Sequence, residues 1–118
     1  MSISVSLNLS IDEALNATAQ GIANGLNTAA DRLVALSVPL TPIDLGDLRQ
    51  GTIPTYAMPG ELMSKVSNDL PYAARQHEEL HWRHPKGGQA KYLEAPAINN
   101  ATELMGLVGA AMRRSLRS

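Results

Sequence analysis

Two histidines four residues apart, His77 and His81, enclose Glu78 in the run His77-Glu78-Glu79-Leu80-His81. On a helix both imidazoles project from one face, and a glutamate between them could act as base toward a zinc-bound water, the chemistry of a small zinc-dependent hydrolase. Such a site needs a third ligand. His84 lies too close for the long-spaced histidine of one zinc class, whereas Glu103 stands at a distance that suits the glutamate of another. Three points weigh against this chemistry. The pattern arises by chance in about one chain of this length in a few hundred. Trp82 to Gly88 interrupts the helix where a zinc site needs a rigid floor. No group that could stabilise an oxyanion is identifiable. The plainer reading makes these histidines exposed polar residues or hydrogen-bond partners at an interface, with no catalytic residue, no metal and no cofactor.

The surrounding stretch, Pro71 to Pro96, also holds His84, the only tryptophan (Trp82), two of the three tyrosines (Tyr72 and Tyr92) and the only Gly-Gly pair (Gly87-Gly88). Pro85 and the two glycines prevent regular structure between the polar residues Arg83, Lys86 and Gln89. A tryptophan in such a loop has the character of an interface anchor.

The elements that must position this stretch are read from the rest of the chain. Its 118 residues suffice for one domain that buries about two-thirds of its unfolded surface. The absence of cysteine excludes disulfides and thiol chemistry. A net charge of -1 and a pI near 6.3 give no global attraction to nucleic acid or anionic membranes. Met1 to Ser10 lacks the features of a signal peptide, and no window reaches the roughly 18 apolar residues of a membrane span, so a cytoplasmic site of synthesis is expected. With no phenylalanine the core must come from Leu, Ile, Val, Met and Ala.

Ile3, Val5, Leu7 and Leu9 alternate with Ser and Asn, a half-buried strand. Ser10 to Glu13 reads as a capping box, opening a helix to about residue 36 with Ile11, Leu15, Ile22, Leu26, Leu33 and Leu36 on one face. Ala17, Gly21, Gly25 and Ala29 form a second strip that either admits a closely approaching sheet or subunit or merely tolerates two glycines. Pro39 and Pro42 predict a loop from Val38 to Gly46. Strands are expected over Arg49 to Tyr56, at a sheet edge because of Pro54, and over Glu61 to Asn68, with Pro59-Gly60 in a type II turn between them. A short helix is expected from Pro71. A last helix runs from between Pro96 and Asn100 to about Arg117, with Ile98, Ala101, Met105, Val108 and Met112 facing inward. The fold class is therefore α+β: a small antiparallel sheet packed against a long N-terminal helix and a C-terminal helix, with a short helix and a long loop between.

Three blocks of this sequence together resemble the tail-completion and head-tail joining proteins of long-tailed bacteriophages, also described as neck or minor capsid proteins. The first runs from Val38-Pro39 through Asp44-Leu45-Gly46-Asp47-Leu48-Arg49, a proline loop and glycine-x-leucine-arginine lead-in to a hairpin. The second is Pro71-Tyr72-Ala73 with Gln76-His77-Glu78. The third and most specific is His84 to Glu94. Gly46 would free the backbone at the sharp lead-in, Tyr72 bury its ring, Gly87-Gly88 act as a hinge, and Tyr92-Leu93 anchor the chain's return to the core. Many members of that family carry glycine shortly after the glutamate, where this chain has Glu79-Leu80-His81.

The resemblance implies one head-tail joining domain over residues 1–118. It would be a virion protein made in the bacterial cytoplasm, performing no chemistry. Its own copies would form a ring between a portal or adaptor protein on the head side and a tail terminator or tail tube protein on the tail side. DNA would pass through without sequence recognition, and no membrane would take part. The contact residues so implied are Asp44, Asp47, Arg49, Glu78, Glu79, Trp82, Arg83, His84 and Lys86.

Overall fold

The computed structural model describes residues 3–14, 17–40, 51–68 and 92–117. These form an α+β fold with a three-stranded antiparallel sheet ordered β1-β3-β2, where β1 is Ile3–Asn8, β2 Thr52–Thr55 and β3 Met63–Asn68. The helices are α1 (Ile11–Ala14), α2 (Ala19–Ser37), α3 (Glu94–Asn99) and α4 (Ala101–Ser115).

Alternation makes the sheet one-sided. Val5, Leu7, Ser64, Val66 and Pro54 share the face toward the helices, and Ser4, Ser6, Asn8, Ile53 and Lys65 the opposite face. Leu7 and Val66 are buried there with Leu26, Leu33, Leu104 and Val108. Pro54 sits on an edge strand as expected. The Met58 to Glu61 turn closes with Glu61 N–H donating to Met58 O at 2.9 Å, and Gly60 takes the positive φ of 97° that a type II turn demands at its third residue.

The capping box forms as read. Glu13 N–H donates to Ser10 Oγ at 3.1 Å and Ser10 N–H to Glu13 Oε1 at 3.0 Å. Hydrogen bonding to its carboxylate from Ser10, the backbone amide first and then the side chain, holds the Glu13 carboxyl below its usual range. The helix that follows is not continuous, however. It is interrupted at Ala17 and Thr18, and α2 starts afresh behind Thr18, whose backbone is extended and whose Oγ1 accepts from Gly21 N–H at 2.9 Å. A threonine that caps cannot also continue a helix. Ile11 is consequently exposed, and the buried stripe begins at Ile22. At its far end α2 passes directly into a 3-10 turn, Val38–Leu40, rather than an extended loop, because the fixed φ of Pro39 is compatible with helical backbone.

The glycine strip has a definite partner, and it is neither the sheet nor another subunit. α4 lies against α2 so closely that a Cβ on Gly25 would stand 2.8 Å from Val108 O and 2.9 Å from Val108 Cα, and one on Gly21 would overlap the Ser115 side chain. This contact also fixes the rotation of α4. Leu104, Val108 and Ala111 are buried, while Ile98, Ala101 and Met105, expected inside, face outward. The terminal helix is also divided. α3 carries Pro96 in its first turn, and Asn100 departs from helical backbone (φ -115°, ψ 19°) before α4 begins. The predicted strand from Arg49 narrows to Thr52–Thr55 among the described residues.

Candidate functional site

Most residues singled out in the sequence lie outside the described residues: Asp44, Gly46, Asp47, Arg49, Tyr72, His77, Glu78, Glu79, His81, Trp82, Arg83, His84, Lys86, Gly87 and Gly88, together with the short helix expected from Pro71. Tyr92 and Leu93 lie inside, and both are buried in the core. Glu103, the candidate third ligand, is on α4 and accepts from Arg32 Nε of α2 at 3.1 Å, with both side chains partly exposed. Among the described residues no three His, Asp or Glu side chains come together in a way that could hold a metal.

Burial pushes the Tyr92 phenol up to about 12. The neutral form is the one the core favours, so its contribution is complete below the unfolded value near 10 and is lost as pH rises toward 12. A shift of this size predicts a loss of about 2 kcal/mol across that window. Denaturant melts between pH 8 and 12 should show this fall in the native chain and a flatter profile in Tyr92→Phe.

Two concave surfaces stand out among the described residues. One is a polar cleft of about 490 Å³ between α2 and the β2–β3 turn, lined by Gln20, Asn24, Asn27, Thr28, Asp31, Tyr56 and Met58. Its hydrogen bonds are directed inward on the protein itself. Tyr56 Oη donates to Asp31 Oδ1 at 2.5 Å, which raises the phenol's pKa above the ordinary value, and Gln20 Nε2 donates to Asn24 Oδ1 at 2.9 Å. Asn27 takes both polar groups of Ala57, with Nδ2–H donating to Ala57 O at 2.9 Å and Oδ1 accepting from Ala57 N–H at 2.6 Å. The Tyr56–Asp31 bond and the paired bonds between Asn27 and Ala57 join helix to hairpin across this cleft. The sequence reading missed Asn27. Its one signal is an asparagine in mid-helix, where it is a poor helix former.

The second surface is apolar, about 390 Å³, and runs between the outer edge of β1 and the α3–α4 corner, lined by Val5, Ser6, Leu7, Ala97, Ile98, Ala101, Leu104 and Met105. Ile98 is 66% exposed there. This surface has the apolar composition of a contact region.

No protein-family model, curated protein or solved structure matches this chain. Among the described residues no helix is long and apolar enough to cross a membrane.

Proposed function

We propose that this chain is a structural protein of the bacteriophage neck, a head-tail joining subunit that works in the virion as a ring of its own copies. The observation that carries the reading is the His84 to Glu94 block, supported by the Asp44 to Arg49 and Pro71 to Glu78 blocks. The α+β fold with a thin, aromatic-poor core and an apolar surface left open beside β1 is compatible with a subunit whose burial is completed by neighbours. In this role portal or adaptor protein lies on the head side and tail terminator or tail tube protein on the tail side. Binding would come from contacts of residues such as Trp82 and Arg83 with the next subunit.

The test is imaging of intact particles carrying a tagged copy of this chain. The expected result is a closed symmetric ring between head and tail, since open head-to-tail contacts would extend into filaments. A single isolated copy per particle, or none in the neck, would overturn the reading. Metal analysis of the purified chain is expected to find no stoichiometric zinc, with His81→Ala melting close to the native chain. Tightly bound zinc together with a hydrolytic activity lost in Glu78→Gln would instead establish the hydrolase.

A further inference from the structure

We propose that the free subunit pairs with a second copy of itself through the outer edge of β1, forming a weak two-fold dimer with a continuous six-stranded sheet. Leu9 N–H donates to Leu62 O at 2.9 Å, and the β1–β3 register continues this pairing in steps of two, Leu7 with Ser64, Val5 with Val66 and Ile3 with Asn68. In an antiparallel pair the residues between these turn their backbone groups the other way. Ser4, Ser6 and Asn8 therefore present N–H and C=O groups to the open edge, and no described strand lies beyond them.

The opposite edge of the sheet is closed to such pairing. By the same alternation Ser67 and Lys65 of β3 bond Ile53 and Thr55, so the outward residues of β2 are Thr52 and Pro54, and proline has no N–H to offer. Proline, charge and bulges are the usual guards of a free edge. β2 has one of them, whereas β1, Ile3-Ser4-Val5-Ser6-Leu7-Asn8, has none over six residues.

The occupant that fits is a second β1. A two-fold contact brings every charge against its own copy, so it favours an uncharged surface, and neither β1 nor the groove beside it contains a charged residue. Antiparallel pairing centred on Ser6 sets Ser6 opposite Ser6 of the second copy and Ser4 opposite its Asn8, which uses all three outward residues and forms about six backbone hydrogen bonds. Val5 then faces Leu7 of the second copy on the helix side of the sheet, and the exposed Ile98 and Met105 are brought toward their counterparts. A six-residue edge is about 20 Å long, and with the helix layer about 10 Å above it the footprint is roughly 400 Å² per copy. That falls below the size of a standard stable interface, so the pair is weak and depends on concentration. The pairing belongs to the free subunit, because a two-fold contact closes on two copies and builds no ring, and in the neck the same surface would pass to a ring neighbour.

Sedimentation of the full chain from about 1 to 500 μM tests it. A concentration-dependent monomer–dimer equilibrium is expected. Ser6→Pro removes only outward-facing amides and should leave the circular dichroism intact while weakening the dimer roughly 30-fold. Ser6→Cys places two thiols on facing residues whose Cα atoms are about 5.5 Å apart, within disulfide range, in a chain that has no other cysteine. Mild oxidation should link it rapidly, and Asn24→Cys on α2 slowly. A monomer at every concentration, a dimer indifferent to Ser6→Pro, or equal cross-linking of the two cysteine variants would each overturn the proposal. Should Ser6→Pro fail to fold, the cysteine pair decides alone.

Discussion

Gly25→Ala is expected to lower the stability of this protein by about 2 kcal/mol, although alanine is the better helix former by about 1 kcal/mol. The reason is what the new methyl meets. A Cβ at residue 25 lies 2.8 Å from a backbone carbonyl oxygen and 2.9 Å from a backbone Cα, both of Val108. No rotamer change relieves a clash with main chain, so α2 and α4 must move apart and loosen Leu26, Leu104 and Val108, which are at most 1% exposed. Overpacking of this kind costs about 1–3 kcal/mol, and an unyielding obstacle places it at the upper end before the propensity gain is subtracted. Gly106→Ala gives the contrast. A Cβ there meets nothing within 4 Å, on the exposed side of α4, so the propensity term acts alone and stability should rise by up to about 1 kcal/mol. Urea titrations of the two variants should therefore move in opposite directions. An upward shift for both would mean that the helices do not approach as closely as the structure shows.

What could be read from the sequence divides along the same line between local and distant causes. The β1 alternation, the Ser10–Glu13 box, the Pro59-Gly60 turn and the edge position of Pro54 depend on a few neighbouring residues, and all are in the structure. The rotation of α4 does not. Its sequence allows two apolar stripes that share Val108, the expected Ile98-Ala101-Met105-Val108-Met112 and Leu104-Val108-Ala111, and periodicity alone does not rank them. The glycine strip of α2 chooses the second, since it admits a helix backbone at close range. The break at Thr18 escaped notice because Ile11 and Leu15 extend the apolar period backward across a residue that caps instead. Of the candidate contact surface, the uncharged strand was legible, but its open side was not. Which backbone groups of β1 face outward is fixed only by pairing with a strand some sixty residues later.

Asn27→Ala should be the most costly polar substitution among the described residues, at about 2–4 kcal/mol. The side chain of Asn27 satisfies both the N–H and the C=O of Ala57, a residue only 4% exposed, at 2.6 and 2.9 Å. Alanine would leave a buried donor and a buried acceptor together without partners, and each such group costs about 1–3 kcal/mol. The gain in helix propensity, about half a kcal/mol, offsets little of this. The loss should also have an address. Ala57 follows β2 and precedes the turn at Pro59-Gly60, so the hairpin would come away from α2 before the α2–α4 contact fails. Hydrogen exchange separates these levels. In the native chain the Ala57 amide should exchange slowly, and in Asn27→Ala it should exchange at least about 30-fold faster while amides in the middle of α2 keep most of their protection. Asn27→Gln carries the same groups one methylene further out and cannot place both against Ala57, so it should lie between the two. A variant that melts within half a kcal/mol of the native chain, with Ala57 still protected, would show that water replaces the amide there and that the hairpin is held by its apolar contacts alone.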